Sequence, residues 1–298
     1  MLYEGYFMKI AVVGLGGVGG YVSARLKKSG ADVVGFARGK HLQQIQQNGL
    51  EIIEDENSWH VDMDVKNLDE VEGSFDVVIF CVKSYDLKSS YEAISSHLGS
   101  DTILISFSNG VSNGDELRKL SDAKVLDGCI YILSHIQKAG VIRKKGKVFT
   151  AVFGGDEKAT QTLKDIFEKA NLRIKTPDDI KTAIWKKYIF ISSFATITSY
   201  YNKSIGYIYQ HHKDEVEGIL KEIASVAHAK GIEIEDEVEK SLLVASKLPY
   251  ESSTSMWLDF KHKKQTELET LSGFVIKEGV ACGVATPLMS KMYKKLVD

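Results

Sequence analysis

Gly14, Gly16 and Gly19 follow the apolar run 8–13 and precede an amphipathic stretch over 21–28. The order strand, glycine turn, helix suits a dinucleotide. The first glycine allows a tight turn, the second lets the backbone approach a pyrophosphate, and the third lets the helix pack on the strand. Gly14, Leu15, Gly16, Gly17, Val18 and Gly19 would then lie against the phosphates at a helix N-terminus, where unpaired N–H groups favour anions. About 20 residues further on, where such folds place an acidic residue on the adenosine ribose, stands Arg38. A guanidinium there can clamp a 2′-phosphate, which points to NADP rather than NAD. Its bland reading is a solvated loop charge, with Lys40 nearby. Lys83 after the run 75–82 and Asn109 after 102–106 stand at carboxyl ends of strands, where open α/β sheets bind ligands. Their plainer readings are a strand-end charge and a turn residue.

The elements that must hold these groups alternate through the first half. Residues 32–37 read as a second strand, 41–48 as a short polar helix, and 50–53 with 59–63 as a strand pair. The run 75–82 is continuously apolar, as in a parallel strand covered on both faces. Residues 124–133 form a strand leading to Ser134, and 141–143 with 147–153 read as antiparallel additions before the break at Gly154, Gly155 and Asp156. Helical periodicity over 157–170 and a strand-like piece over 172–175 follow. Beyond Pro177 the stretches 178–201, 214–229, 235–247 and 263–281 carry apolar residues three or four apart. The fold class is therefore α/β: a Rossmann-type NADP-binding domain over 8–176, then an all-helical C-terminal domain over 177–298. The active site is expected in a cleft between them.

The 298 residues suffice for two cores. A hydrophobic share of 44% and a charged share of 26% are those of an ordinary soluble protein. A net charge of -2 leaves no electrostatic footprint for nucleic acid or an anionic membrane, so a small molecule recognised locally is the expected partner. No apolar run reaches the roughly 20 residues of a membrane span, and no secretory signal precedes the first strand. Residues 1–7 read as a short extension, with Met8 a candidate start. Cys81, Cys129 and Cys282 lack ligand spacing and read as reduced core cysteines of a cytoplasmic protein. Adjacent His211 and His212 read as surface residues, and no metal site is expected. Apolar faces on the C-terminal helices serve either the core or a homodimer interface.

Over nearly its whole length the chain resembles the ketopantoate reductase (2-dehydropantoate 2-reductase) family. The matching pieces are the run from Gly14 to Gly19, Arg38, Cys81-Val82-Lys83, Ser108-Asn109-Gly110, Trp185-Lys186-Lys187, Ser255-Met256, Glu267-Leu268-Glu269 and Ser272-Gly273. The resemblance implies NADPH-dependent reduction of a 2-oxo acid to a 2-hydroxy acid, with 2-dehydropantoate the leading substrate. It further implies Lys187 as catalytic general acid and Glu267 as the catalytic glutamate that binds a substrate hydroxyl or orients groups near the nicotinamide. Ser255 would bond the substrate carboxylate and Asn109 would lie between cofactor and substrate; Arg38, Lys83 and Ser134 would touch cofactor. Chemistry supports the lysine, because hydride arrival puts negative charge on the carbonyl oxygen, which an ammonium can neutralise and protonate. Lys186 points elsewhere on the helix, and Asp259 and Glu269 are the runner-up carboxylates. The plain alternatives are a solvated helix face for the lysines and an exposed charged run for Glu267.

The chain departs from the family at one face. Asparagines usual one and two turns after the catalytic lysine are Ile191 and Ala195 here, and Ile205 stands where asparagine is frequent. A site that bonds a hydroxyl discriminates through that bond, so these changes point to a paralogue for a more apolar, branched-chain 2-oxo acid. Ser192, Asn202 and Ser204 are the candidates to compensate, although Ser192 and Asn202 lie off the lysine's face by helical spacing. A catalytically silent NADP-binding sensor is the reading from another class.

Overall fold

Alternation within the strands builds the first unit. In β1 (Lys9–Val13), Ile10 and Val12 enter one core while Ala11 and Val13 enter another, and all four are almost fully buried. The same division recurs in β6 (Val77–Phe80), where Val77 and Ile79 face one core and Val78 and Phe80 the other. A strand buried on both faces has no polar positions to offer, which explains the unbroken apolar run. The computed structural model describes residues 8–298; the extension read over 1–7 lies outside the described residues.

Between and after these strands come α1 (Gly17–Lys28), β2 (Asp32–Phe36), α2 (Gly39–Asn48), β3 (Leu50–Glu54), β4 (Asn57–Val61) and β5 (Asp64–Lys66). Past β6 follow α3 (Leu87–Ile94), β7 (Ile103–Ser106), α4 (Asn113–Leu120), β8 (Lys124–Lys138), β9 (Val141–Gly154), α5 (Glu157–Lys169) and β10 (Ile174–Lys175). The strands lie in the order β4-β3-β9-β8-β7-β6-β1-β2-β5, with β10 beside β9. From β5 to β8 every pairing is parallel. The order turns back on either side of β1, and the carboxyl end of such a strand is where sheets of this kind take a ligand.

Two strands run longer than the sequence reading. β8 continues past Ser134 to Lys138, and β9 is one strand over Val141–Gly154 instead of two pieces. Gly140, at φ +76°, closes the turn between them, and a register shift between Ile132 and Ser134 absorbs the excess residues of β9 without ending the ladder.

The chain divides into two compact units: the first reaches Ser108 and resumes over Ser112–Ile180, and the second takes Asn109–Val111 with Lys181–Asp298. The second is built on α6 (Ile180–Tyr201), α7 (Ile205–His211), α8 (Lys213–Ala229), α9 (Asp236–Lys247), α10 (Ser255–Lys261), α11 (Phe274–Cys282) and α12 (Pro287–Val297). From Ser192 to Ser199 every residue of α6 is buried, so it is the unit's central helix. Three of its hydroxyls are satisfied within the helix: Ser193, Thr196 and Thr198 donate to the carbonyls of Ile189, Ser192 and Phe194 at 2.8, 2.8 and 2.6 Å.

The helix expected over 263–281 begins late. Lys263 takes φ +53°, and a π-helical turn over Glu269–Gly273 leads into α11. Tyr188 of α6 donates to the carbonyls of Thr270 and Leu271 at 2.9 and 3.0 Å, and Ser192 donates to Leu271 at 2.5 Å. These bonds satisfy carbonyls where the helical ladder is interrupted. Trp185, Tyr188 and Phe274 pack around the same junction with ring centroids 5.5 to 6.2 Å apart. None of the described helices is long and apolar enough to cross a membrane. The three cysteines are free of disulfides.

Candidate active site

In the first unit the carboxyl ends of three strands meet at the glycine turn. The amides of Gly14 and Leu15 both donate to Phe36 O of β2, at 3.0 and 3.2 Å, while Gly14 lies against Val82 just beyond β6. Gly14 sits at φ +93°, which a side chain would oppose. A Cβ on Gly19 would stand 2.1 Å from Gly14 O, so the third glycine is fixed by the approach of helix to strand. Leu15 turns inward, 2% exposed, into the core that also takes part-buried Val18. The first helical bond is Gly20 N–H to Gly16 O, at 2.8 Å, leaving the preceding amides without an intrahelical acceptor.

Three observations fit this turn to a dinucleotide's pyrophosphate. A Cβ on Gly16 would meet nothing within 4 Å. α1 carries no side-chain cap and no acidic residue in its first turn, so its dipole is uncompensated. Ser134 is brought alongside, since a Cβ on Gly17 would stand 2.4 Å from Ser134 O. Its buried hydroxyl has no hydrogen-bond partner among the described residues.

His41, which the sequence places only in a polar helix, holds this turn. The Gly140 amide donates to Nδ1 at 3.0 Å, so Nδ1 carries no proton and the Nε2–H donates to Leu15 O at 2.9 Å. The ring is therefore held in one neutral tautomer. Burial lowers its pKa below the ordinary 6.5, outweighing the opposing bond to Leu15. As pH falls through about 6.5 the unfolded ring takes a proton that the folded ring resists, so the contribution to stability is full above that pH and declines below it. Melting temperatures at about pH 7 and about pH 5 should fall less steeply for His41→Gln than for the parent. Equal slopes would show that His41 is not the titrating group.

Arg38 follows β2, its side chain 84% exposed, and Nη2 lies 3.3 Å from Asp86 Oδ2. Lys40 is exposed in the first turn of α2. Lys83 caps the short 3-10 turn Ser84–Asp86 beyond β6.

The second unit gathers three of the residues named from the sequence. Lys187 Nζ donates to Asn109 Oδ1 at 3.2 Å, and Asn109 Nδ2 donates to Glu267 Oε2 at 3.5 Å. The amide thus bridges an ammonium and a carboxylate with its two ends correctly matched. Glu267 is 3% exposed, not part of a solvated charge run. It precedes the π-helical turn that Tyr188 and Ser192 fasten to α6, so those two hydroxyls tie the strip bearing Glu267 to the helix bearing Lys187. Lys186 leaves this group and approaches Glu237 at 3.9 Å. Glu269 accepts from Tyr293. Asp259 lies on α10.

Ser255 is the first residue of α10, exposed, and makes no hydrogen bond to the group of three among the described residues. Thr254 beside it meets Thr198 of α6 at 2.9 Å. One and two turns beyond Lys187, Ile191 is part-buried and Ala195 is 3% exposed in the helical core, as is Ile205 at 4%. The nearby polar side chains are engaged elsewhere: Ser192 on Leu271 O, Asn202 Oδ1 with Trp257 Nε1 at 2.6 Å, and Ser204 as the cap that accepts from Tyr207 N. His212 stacks on Tyr201 with centroids 3.7 Å apart and bonds Glu215, while His211 lies against Tyr207.

Residues 10–155 match the family model described as ketopantoate reductase PanE/ApbA, and residues 179–297 match that of its C-terminal part. The chain is 29% identical over 297 residues to the uncharacterized oxidoreductase YkpB of Bacillus subtilis, covering 97% of this chain and 98% of the relative. Among solved structures, the 2-dehydropantoate 2-reductase of Porphyromonas gingivalis W83 is 31% identical with a TM-score of 0.84, covering 98% and 99% of the two chains. The PanE/ApbA family ketopantoate reductase of Ralstonia eutropha JMP134 is 26% identical with a TM-score of 0.90, covering 97% of each. With both halves matched, the chain belongs to the ketopantoate reductase family and is an oxidoreductase acting on CH–OH groups.

Proposed function

We propose that the protein is an NADPH-dependent 2-oxo acid reductase, with 2-dehydropantoate as its first substrate and Lys187, Asn109 and Glu267 as the reacting group. The hydrogen-bonded sequence Lys187, Asn109, Glu267 carries this reading, because it pairs a proton donor with a buried carboxylate through a neutral amide. NADPH, when bound, supplies the hydride. Lys187 holds a proton at Nζ, neutralises the charge that develops on the substrate's carbonyl oxygen, and passes that proton to it. Asn109 Oδ1 fixes the ammonium, and Glu267 accepts from a substrate hydroxyl. Ser255 is assigned to the substrate carboxylate, and the amides of the glycine turn, Arg38, Lys83, Asn109 and Ser134 to the cofactor. The disulfide-free cysteines fit a cytoplasmic setting.

A second substrate reading, a more apolar branched-chain acid, is favoured by Ile191 and Ala195 together with the prior engagement of Ser192, Asn202 and Ser204. Steady-state NADPH oxidation with 2-dehydropantoate and with 2-oxoisovalerate compares the two. With Glu267 accepting from the substrate hydroxyl, 2-dehydropantoate is expected ahead by about 10⁴-fold, whereas a ratio of about 10- to 200-fold or less, the discrimination of an apolar pocket, would favour the branched-chain acid. A preference of about 10⁴-fold, typical when polar groups would be left unpaired, would remove the apolar reading. NADPH binding with no turnover of either acid would leave a silent sensor.

A further inference from the structure

We infer that Asp86 is a cofactor-specificity residue: its carboxylate is a built-in counter-ion for Arg38 that competes with a ribose 2′-phosphate and restrains the preference for NADPH over NADH. The inference rests on the dinucleotide reading of the glycine turn.

Asp86 occupies the N-cap of α3, where an aspartate ordinarily accepts from the helix's own orphan amides. It makes no such side-chain bond, and Oδ2 lies instead 3.3 Å from Arg38 Nη2. The backbone on which it stands is fixed independently. Asp86 N–H donates to Lys83 O at 2.9 Å, and Asp86 O accepts from Ser89 Oγ at 3.1 Å. Its side chain is 30% exposed against 84% for Arg38, so the carboxylate is the anchored member and the guanidinium the adaptable one.

The contact joins one nitrogen to one oxygen and is not a two-bond fork, so the guanidinium keeps N–H groups to offer a phosphate. Any phosphate that Arg38 holds must nevertheless lie within a few ångströms of the Asp86 charge. Conversely, a free ribose 2′-hydroxyl can donate to that carboxylate, the contact acidic residues make in NAD sites. Arg38 and Asp86 therefore offer one partner to each cofactor. The pair is exposed and contributes little to folding, which makes it open to substitution.

The test is direct binding, without substrate, of NADPH, NADH and 2′,5′-ADP to the parent and to Asp86→Asn, at low and at high salt. Like charges about 5 to 6 Å apart at a wet surface predict NADPH and 2′,5′-ADP binding about 5- to 10-fold tighter in Asp86→Asn. NADH should bind no better, and the gain should shrink at high salt. Asp86→Glu, which keeps the charge, should keep the parent ratio, and melting curves report whether each variant is folded. An unchanged NADPH-to-NADH ratio in folded Asp86→Asn overturns the inference while leaving the dinucleotide reading intact. Failure of the parent to bind either nucleotide overturns both.

Discussion

Lys187→Ala should lower kcat by about 10²- to 10⁴-fold, the usual worth of a positioned proton donor, and leave the affinity for NADPH unchanged. The size follows from when the interaction acts. As the proposed proton donor, the ammonium would meet a neutral carbonyl oxygen in the ground state and a developing alkoxide in the transition state, so its loss should fall on kcat and on kcat/KM together. Lys187→Arg should not restore the rate, because a guanidinium keeps its proton and is wider than the point charge it replaces. Lys186→Ala is the internal control: this lysine approaches Glu237 instead, and its loss should leave kcat at the parent value. Rapid-mixing kinetics with NADPH and a turned-over 2-oxo acid, beside a binding titration, separate these effects. A Lys187→Ala variant within about tenfold of the parent would place the proton donor elsewhere.

Local backbone chemistry made the first unit legible. The glycine spacing states its own geometry, and the double-faced burial of β6 is written as an uninterrupted apolar run. What long-range packing decides was not. Glu267 follows Lys263, Lys264 and Gln265, a run that resembles solvated surface. It is buried because the turn beyond it is fastened to α6 by Tyr188 and Ser192, residues some 80 positions earlier. Asn109 lies three residues past β7, and no local signal marks the transfer of Asn109–Val111 to the helical unit. His41 is similar, since its partners lie 26 and 99 residues away. The charged residues of 143–147 hid the continuity of β9, which is maintained by its ladder to β8 and not by its own apolar pattern. For Lys187, Glu267 and Ser255 the family likeness supplied roles that periodicity could not. The structure adds that the first two share one amide, to which Ser255 makes no hydrogen bond among the described residues.

Gly16→Ala and Gly19→Ala should both weaken NADPH binding, but through different parts of the molecule. At Gly16 the backbone is extended, with φ -67° and ψ -164°, conformations open to alanine, and the new methyl meets no protein atom within 4 Å. The variant should fold and melt like the parent. Its methyl would instead occupy the space through which a pyrophosphate approaches the amides of α1, and NADPH affinity should fall about 10- to 100-fold, since crowding by one methyl costs about 1 to 3 kcal/mol. At Gly19 the methyl would lie 2.1 Å from Gly14 O and 2.8 Å from Cys81 Cβ. A backbone carbonyl cannot swing aside as a side chain can, so α1 must lift from β1, at a cost of about 1 to 3 kcal/mol or more. That variant should lose both melting temperature and NADPH affinity. Paired thermal melts and binding titrations distinguish the two, and parent-like NADPH binding by Gly16→Ala would mean that the pyrophosphate does not pass over the second glycine.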